Sequence, residues 1–525
     1  MPHQQTQSKS AAAVVTIEHP PEQAAQSLLD RLLGSNEVGT SERKTGFNPL
    51  HSFLTETSPG VRLKQWLGQL PKSAEQFEAA RLTLARDIAR IDSLLCDQVN
   101  AILHAPEFQR LEATWRGLHY LWETRERLLN ERGFDDKPVQ MQIRMLDVSK
   151  KELQRDFERA ADFDQNALFM KVYEGEFGIA GGTPYGMLIA DYEFTNHPDD
   201  IDLLSQMSGV AACAFAPIIT SAAPNLVGLD DFSDLDKPVD LENIFQQARH
   251  RKWRSLRERP DTQFLGLTLP RVLMREPWLN DGRHDYGFRF EEDVQGADRS
   301  KFLWGNSAWA MGAVILRAFD TCGWFADIRG VERGAEAGGL VNNLPTHDFH
   351  TDAFGVAMRS NVEVAISDTQ ESELSKLGFI PLSHCKDTPY SVFYSNQSVH
   401  RPEVYDDPVA TANAGISAML QYVLCCSRIA HYLKVKARDK LGSHLSPIQI
   451  QNELQAWVIN YVTADEKADP SMKALYPLRE AQVEVTDIPG QPGKYMLTMR
   501  LLPHYQLDQL SSTMTLVARR VDLKD

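Results

Sequence analysis

Apolar residues recur at helical spacing in two successive segments of the chain. Between Ala74 and Leu103 an apolar side chain returns every three or four positions, which predicts one amphipathic helix. A second helix is predicted after Pro106, and its apolar stripe contains Phe108, Leu111, Trp115, Leu118 and Leu121. A stripe at this spacing is usually the face that a helix turns towards its core, so we interpret these side chains as buried.

The pattern changes to strand-like alternation after Val139. The segments VQMQIRML, LFMKVYE and YGMLIADYEF are interpreted as β-strands between helical segments, and short strands and helices continue to about Arg401. The glycines of GEFGIAGG, residues 175–182, lack the Gly-Lys-Ser/Thr of a phosphate-binding loop, and we interpret them as a turn before a core strand. The predicted fold class is α/β with mixed α+β character, in which mixed sheets are flanked by helices.

A single long helix is predicted from Pro408 to about Lys440. Asp407 is a good N-cap, Pro408 fits the first helical position, and Gly442 can take a left-handed C-cap. Such a helix would span roughly 50 Å and would cross a whole domain. Its middle part, Met419–Cys426, is apolar all round, which is typical of a buried helix.

A β-hairpin is predicted near the C-terminal end. Its strands are Gln482–Thr486 and Lys494–Leu502, and the sequence PGQPG supplies the turn between them. In the second strand the side chains of Tyr495, Leu497, Met499 and Leu501 are predicted to point to one side, because successive side chains of a strand alternate between its faces.

A short amphipathic helix is predicted over residues 21–34, inside a flexible N-terminal arm. It places Leu28, Leu29, Leu32 and Leu33 on one face, and Gly34 ends it. A helix of about 13 residues is marginal in water alone. This leucine face is therefore expected either to dock on its own domain or to bind a partner.

Composition and charge exclude several classes of protein. The 525 residues carry a formal net charge of −16, whereas a nucleic-acid surface needs clustered Lys and Arg. Six cysteines are scattered without a CxxC pair, which suits reduced thiols in a cytoplasm. The N-terminal apolar run of seven residues is too short for a signal peptide or a membrane span. We expect a cytoplasmic protein with no nucleic-acid binding and no membrane insertion.

One cluster of residues resembles a metal site in composition. His347, Asp348, His350 and Asp352 fall within the segment LPTHDFHTD. The two histidines do not share a helix or strand face, and the sequence nominates no distant third ligand, so we interpret them as solvated loop residues. We predict no catalytic residue, no bound cofactor and no metal, and a metal-dependent enzyme is the less favoured alternative.

An ordered set of longer motifs resembles one family. LGFIPL (377–382), YSNQS (394–398) and SRIAHYLKV (427–435) follow one another as in the large sheath subunit of the type VI secretion system, the TssC/VipB family, also called EvpB or ImpC/ImpD. Further matches are PEFQRLEATWRGLHYLW from residue 106, YEGEFGIAGGTPYGMLIADYEF from residue 173, FLWGNSAWAMGAVILRAF from residue 302 and GGLVNNLP from residue 338. The resemblance extends over nearly the whole chain after Asp92.

This resemblance implies a structural role and a set of partners. The family's large subunit pairs with a small subunit, TssB or VipA, and polymerises with its own copies around the inner tube protein Hcp above a baseplate. Contraction of this sheath drives effector injection, and the hexameric ATPase ClpV disassembles it by gripping an N-terminal helix. The matching ATPase-recognition residues are Leu28, Leu29, Leu32 and Leu33. Terminal strands of neighbouring subunits join into shared sheets, and the candidate intersubunit residues are Val483, Val485, Tyr495, Leu497, Met499 and Leu501.

We divide the chain into four predicted regions. Residues 1–60 form the flexible arm, 61–136 a helical region for small-subunit pairing, 137–400 the mixed α/β sheath domains, and 401–525 the long helix and C-terminal strands at the sheath-core interface. The part before about Asp87 matches the family least, and the chain looks most like a longer paralogue of the standard large subunit. A non-polymerising accessory paralogue or adaptor that binds the small subunit is therefore the alternative function.

Overall fold

The computed structural model describes most of the chain from residue 53 onward. The described ranges are 53–67, 70–131, 140–281, 287–295, 298–331, 336–349, 359–440, 446–465, 467–487 and 495–504. The predicted helix with Leu28, Leu29, Leu32 and Leu33 lies outside them. The chain divides into two compact units, one of residues 1–102 and 278–292, the other of residues 103–277 and 293–525. The four regions predicted above remain predictions.

The first unit is built on a long amphipathic helix. Helix α1 (Pro59–Leu67) precedes helix α2 (Ala74–Leu103), which contains no glycine or proline. The Trp66 indole N–H donates to Asp87 Oδ2 at 3.1 Å and joins the two helices. The Cys96 thiol donates to the Arg289 carbonyl at 3.0 Å, which fixes the segment 287–292 on α2. The predicted helix is confirmed, but none of its side chains is buried in the described structure.

The second unit mixes helices and strands along the chain. Its described α-helices of six or more residues are α3 (Pro106–Glu131), α4 (Lys150–Arg159), α5 (Pro198–Ala214), α6 (Leu241–Gln246), α7 (Arg251–Arg257), α8 (Ala308–Cys322), α9 (Asp368–Lys376), α10 (Pro408–Ser417), α11 (Leu420–Asp439), α12 (Pro447–Ile459) and α13 (Pro470–Leu475). Its strands are β1 (Leu188–Phe194), β2 (Ile218–Ala222), β3 (Leu265–Leu269), β4 (Val272–Leu273), β5 (Trp304–Gly305), β6 (Leu340–Val341), β7 (Ile380–Pro381), β8 (Ser383–His384), β9 (Ser391–Val392), β10 (Leu478–Asp487) and β11 (Tyr495–Pro503). The predicted mixed α/β fold class is confirmed.

A four-stranded parallel sheet lies at the centre of this unit. Its strands follow the spatial order β1-β2-β3-β7. Successive residues of β2 enter opposite cores, since Ile218 packs on the face covered by α5 and α7, and Ile219 packs on the face covered by α3 and α8. Burial on both faces explains why β2 and β3 lack the polar alternation of a half-exposed strand.

Helix α3 buries a different stripe from the predicted one. Its buried residues are Ala113, Gly117, Tyr120, Leu121, Thr124 and Leu128, and the helix packs against α8. Gly117 leaves room for the Trp309 ring, and small residues such as this one let α8 approach closely. The prediction is confirmed for Leu121, which is 3% exposed. It is wrong for Phe108, Leu111 and Trp115, which are 37%, 57% and 56% exposed.

Two of the three predicted strand segments differ from the prediction. Residues 140–146 of VQMQIRML form no strand, and LFMKVYE is helical, since an α-turn at Ala167–Phe169 continues as a π-helix over Met170–Gly178. The Asn166 side chain caps this helix by accepting from the Phe169 N–H at 2.7 Å. The segment YGMLIADYEF is confirmed as β1, and the predicted turn before it lies at residues 179–181.

The predicted single long helix is two helices, because the chain leaves helical geometry at Ala418 and Met419. Met419 has extended backbone angles, with φ −81° and ψ 133°. The Leu420 N–H donates to the Asn396 carbonyl at 2.9 Å, and the Ser398 N–H donates to the Ala418 carbonyl at 3.0 Å. These bonds to the neighbouring segment satisfy main-chain groups that a continuous helix would have paired internally.

Other features of the helix prediction are confirmed. Helix α10 begins at Pro408, and the apolar first turns of α11 are buried, with Leu420 and Leu424 fully so. The predicted cap residue Gly442 lies outside the described residues. Despite its apolar stretch, neither α11 nor any other described helix combines the length and apolar composition that crossing a bilayer requires.

A methyl group added at Gly117 is predicted to destabilise the second unit. Its Cβ would overlap the Trp309 ring, so we expect Gly117→Ala to lower the free energy of unfolding by about 1–3 kcal/mol. Gly415→Ala in α10 is the matched control, because nothing lies within 4 Å of that Cβ position. Alanine there should instead stabilise the helix by up to about 1 kcal/mol. Urea denaturation measures both changes, and an unaltered midpoint for Gly117→Ala would contradict this packing.

Candidate assembly interface

The C-terminal hairpin brings together the strand residues nominated from the sequence. Strands β10 and β11 pair in antiparallel fashion, with Val483 opposite Met499 and Val485 opposite Leu497. Tyr495 begins β11 and lies opposite Asp487 at the turn end. The two predicted strands and their pairing are therefore confirmed, and β10 begins before and ends after the predicted limits. The predicted turn PGQPG lies outside the described residues. That these residues lie between subunits remains a prediction.

Four of the nominated side chains, those of Val483, Leu497, Met499 and Leu501, face the chain's own core. Val483 is 1% exposed and lies in an apolar cluster with Leu454 and Val458 of α12. Leu497, Met499 and Leu501 pack against the same cluster, whereas the intervening residues Met496, Thr498 and Arg500 are exposed. This alternation follows the pleat of the strand. The side chains therefore anchor the hairpin, and its capacity to pair with another strand resides in the main-chain groups at its edges.

Two glutamines of α12 close the outer edge of β10. Gln455 Oε1 accepts from the Val483 N–H at 2.7 Å, and Gln455 Nε2 donates to the Ala481 carbonyl at 2.8 Å. Gln451 Oε1 accepts from the Val485 N–H at 3.0 Å. A glutamine side chain carries both a donor and an acceptor, so Gln455 takes the place that a neighbouring strand would occupy.

The beginning of β10 is paired with the segment that follows α12. The Leu478 N–H donates to the Tyr461 carbonyl at 3.3 Å, and the Leu478 carbonyl accepts from the Thr463 N–H at 2.9 Å. At the same open end of the hairpin, just after β11, the His504 carbonyl accepts from the Tyr422 hydroxyl at 2.9 Å. Burial lowers the pKa of the His504 imidazole, which favours the neutral ring in this corner. Both strand ends are thus tied to the helical layer.

Four aromatic side chains fix α12 to α11. The Tyr461 ring lies 4.9 Å from the Trp324 ring and 5.1 Å from the Trp457 ring, both edge-on. Tyr432 of α11 lies 5.9 Å from Trp457. The Lys436 ammonium lies 5.2 Å from the Trp457 centroid, a cation–π distance. Helix α12 therefore holds the hairpin, and α11 holds α12.

Sequence analysis did not single out Gln451 and Gln455. A signal for their helix was present, since Ser446 and Gln449 form a capping box around Pro447 at the start of α12. Residues four apart on such a helix share one face. The contact of this face with β10 is a tertiary contact, which no local sequence pattern predicts.

In the metal-like cluster, His347 makes packing contacts. The His347 ring lies 5.2 Å from the Phe302 ring and 5.4 Å from the Phe349 ring, and the His347 main chain pairs with Ser360. Within the described ranges no group of three or more His, Cys, Asp and Glu side chains is arranged to hold a metal ion. His350 and Asp352 lie outside those ranges. The contacts of His347 are those of a residue that packs a loop.

Comparison with known proteins defines the class of the protein. A sequence model of the VipB family, described as EvpB/VC_A0108, tail sheath N-terminal domain, matches residues 85–400, and a second one, described as EvpB/VC_A0108, tail sheath gpW/gp25-like domain, matches residues 409–520. The chain is thus built from the two domains of a tail-sheath protein. It is also 43% identical over 441 residues to the type VI secretion system sheath protein TssC1 of Pseudomonas aeruginosa, with 83% of this chain and 86% of that protein covered.

The chain belongs to the VipB family of type VI secretion sheath proteins. Its function is that of the large structural subunit of a contractile sheath, as the sequence resemblance implied. Membership in this family implies pairing with a small sheath subunit and assembly with copies of itself. The family is one of structural proteins, and the metal-dependent enzyme is not favoured.

Two solved structures align with part of this chain. The cryo-EM structure of the anti-feeding prophage baseplate aligns with a TM-score of 0.33 and 10% identity over 61% of this chain and 66% of the other, just under two thirds of its length. The helical sheath of the same prophage in its contracted state aligns with a TM-score of 0.28 and 11% identity over 59% of this chain and 66% of the other.

Removal of the Trp457 ring is predicted to loosen the hairpin selectively. Trp457→Ala should cost about 3 kcal/mol, the lower end of the usual range because the ring is only partly buried. Hydrogen exchange should then accelerate in β10 and β11 and stay unchanged in β2 and β3. Ile459→Ala on the same helix is the control, since Ile459 is 53% exposed. Equal protection of the hairpin in Trp457→Ala and Ile459→Ala would refute this anchoring role.

Proposed function

We propose that this chain pairs with the small sheath subunit TssB/VipA and polymerises around the Hcp inner tube, so that contraction drives effector injection. The observation that carries the proposal is the C-terminal hairpin, which is anchored firmly to α11 and α12 and offers a strand edge for pairing. Strand addition supplies affinity through main-chain hydrogen bonds and therefore suits repeated joining of identical subunits. The proposed intersubunit element is the hairpin that carries the residues nominated from the sequence, Val483, Val485, Tyr495, Leu497, Met499 and Leu501.

The small subunit is proposed to bind the helical region 61–136. Two observations support this assignment, and each concerns an apolar stripe that the described structure leaves uncovered. On α2 the stripe includes Phe77, Ile88 and Leu95, all exposed. On α3 it includes Leu111 and Trp115. Exposed apolar patches of this kind mark protein interfaces, and aromatic residues are enriched at their centres.

Contraction is proposed to need no cofactor bound to this chain. Free energy stored when the sheath assembles in an extended lattice can be released by repacking the interfaces between subunits. The baseplate would start this repacking, and the resulting contraction would drive the inner tube outward. The whole cycle would take place in the cytoplasm, which fits the absence of a CxxC pair among the six cysteines.

Disassembly is proposed to depend on the N-terminal helix predicted over residues 21–34. Its face of Leu28, Leu29, Leu32 and Leu33 would be gripped by the ATPase ClpV. The support for this step is the sequence pattern and the family, because the helix lies outside the described residues. An amphipathic helix with leucines at four-residue spacing is a common ligand for an apolar groove.

Co-expression with the small-subunit gene from the same cluster is predicted to give tubes that contain both proteins. Deletion of residues 494–525 should abolish the tubes and leave a soluble pair, because β11 is lost and the helices α1–α3 are retained. Deletion of residues 505–525 alone is the matched control for the hairpin, since it keeps β11 intact. Negative-stain electron microscopy and co-purification measure the two outcomes.

The possible failures of this experiment have different meanings. A soluble pair without tubes from the full-length proteins would favour the accessory or adaptor function. Failure of the two proteins to associate would contradict the sheath assignment itself. Tubes from the 494–525 deletion would show that the hairpin is dispensable and would move the joining strands elsewhere in the chain.

The leucine face is predicted to control release of the sheath and not its formation. Leu28→Glu combined with Leu32→Glu should weaken ClpV binding at least tenfold, because two charges enter an apolar contact. Gln23→Glu combined with Ser27→Glu is the matched control, since it adds the same charges four residues apart on the opposite face. Binding is measured with purified ClpV on assembled tubes. Loss of binding in both variants would show that net charge, and not the leucine face, governs recognition.

A further inference from the structure

We propose that Glu363 is the proton-binding residue of a buried charge cluster around Arg271, and that this cluster makes the stability of the second unit depend on pH in the near-neutral range. The cluster consists of Arg271, Glu193, Glu363 and Asp231. Glu193 lies near the end of β1, and Arg271 follows the end of β3. Because the cluster lies within one chain, its behaviour does not depend on how the chain assembles into a sheath.

The Arg271 guanidinium is shared unequally between two carboxylates. Its Nε and Nη2 atoms donate to the two oxygens of Glu193 at 2.6 and 2.9 Å, which is a bidentate pair. Its Nη1 atom donates to Glu363 Oε1 at 3.3 Å. The guanidinium carbon also lies 5.7 Å from the centroid of the Phe232 ring. Glu193 is therefore the better neutralised of the two carboxylates.

The main chain holds Glu363 in a buried position. Its N–H donates to the Arg271 carbonyl at 3.0 Å, and its carbonyl accepts from Arg299 Nη1 at 2.6 Å. The side chain is 4% exposed. Within the described ranges, Glu363 Oε2 accepts no hydrogen bond. Burial of an ionised carboxylate with an unbonded oxygen is costly, and protonation of that oxygen removes the charge.

Three carboxylates surround one guanidinium in this cluster. The charges of Asp231 and Glu193 both act on Glu363, and Arg271 opposes them. Carboxylates that share a site repel one another, so one of them holds its proton to a higher pH. Burial is the largest cause that raises the pKa of Glu363, to about 7 from its ordinary value of 4.5; Arg271 counteracts this rise, and Asp231 and Glu193 add to it. Glu363 is therefore the carboxylate that binds the proton.

Two other cations near the cluster are engaged elsewhere. Arg299 donates to the Glu363 carbonyl and not to its carboxylate. Lys150 of α4 donates to the Glu193 carbonyl at 2.9 Å, and its ammonium is paired with the Asp200 carboxylate at 2.7 Å. Neither cation makes a bond that would neutralise the Glu363 side chain.

The raised pKa of Glu363 sets the sign of the pH dependence. Between pH 4.5 and about 7 the folded protein holds a proton on Glu363 that the unfolded chain releases. This contribution to stability is full below pH 4.5 and is lost as the pH rises through about 7. Through this residue, the ratio of folded to unfolded protein should rise about tenfold from pH 8 to pH 6.

Two buried histidines act in the opposite sense. Burial lowers the pKa of both His250 and His431 to about 4. The unfolded chain therefore binds protons at these residues before the folded protein does, and acid weakens the fold through them. The contribution of Glu363 is consequently measured as a difference between the unaltered protein and a variant.

Infrared difference spectroscopy of the full-length chain with its small subunit tests proton binding directly. We expect a change from pH 6 to pH 8 to remove the carbonyl band of one protonated carboxyl group, with a midpoint near pH 7, and Glu363→Gln to abolish this loss. Glu276→Gln is the matched control, since it is the same substitution at a carboxylate that is 59% exposed. An equal band loss in Glu363→Gln, or no band loss in the unaltered protein, would overturn the proposal. Failure of the two proteins to associate would contradict the proposed function only, and the same spectra are then recorded on the full-length chain alone.

Glu193→Gln separates the effect of the shared arginine from that of burial. Without the Glu193 charge, Arg271 is available to Glu363 and one repulsive charge is gone, so the midpoint of the band loss should fall by at least roughly one pH unit. An unchanged midpoint would show that burial alone governs the proton and would contradict the role of the cluster.

Urea denaturation of the same proteins measures the consequence for stability. At pH 8 Glu363→Gln should be more stable than the unaltered protein, because a neutral amide replaces a buried charge. By pH 6 this advantage should shrink by about tenfold in the ratio of folded to unfolded protein, whereas Glu276→Gln should show no such change. An equal difference between Glu363→Gln and the unaltered protein at both pH values would refute the linkage.

Discussion

Burial of helix α11 between Leu420 and Leu433 is the constraint on which the second unit depends. Val423 packs into the core on one face of the parallel sheet, Leu420 and Leu424 pack into the core on the other face, and Ile429 and Leu433 pack beneath the hairpin. One rigid element thus belongs to three apolar clusters. Because a helix transmits displacement along its length, the hairpin and the sheet cannot move independently without breaking one of these contacts.

Local sequence patterns predicted those elements whose structure is decided locally. The alternation of Leu497, Met499 and Leu501 gave the correct inner face of β11, and the break-free run from Ala74 to Leu103 gave α2. The prediction failed where distant residues decide the outcome. The helix around Met419 is interrupted because the distant residues Asn396 and Ser398 supply main-chain partners. The segment LFMKVYE is helical because the neighbouring residue Asn166 caps it, a local signal that differs from periodicity. Neither contact can be derived from periodicity.

In the candidate interface, too, local sequence patterns predicted some features and not others. Strand propensity and the turn sequence identified the hairpin, and the resemblance to a sheath family supplied its role. The closure of the β10 edge by glutamine side chains could not be predicted, because it depends on how α12 lies against β10. Helix α3 gives a second case, since Gly117 and Ala113 decide which stripe is buried, while the larger Leu111 and Trp115 remain outside. Hydrophobicity alone would instead predict that Leu111 and Trp115 are buried and that Gly117 and Ala113 are exposed.

The chemical nature of Gln451 and Gln455 decides how the edge of β10 responds to solution conditions. Many proteins protect a strand edge with lysine or glutamate, whose repulsion weakens when salt screens it or when pH neutralises it. An amide is uncharged at every physiological pH, so the closure of β10 is indifferent to ionic strength and acidity. On a chain with a net charge of −16, the glutamine contacts of this strand edge are therefore insulated from the electrostatic environment around the protein.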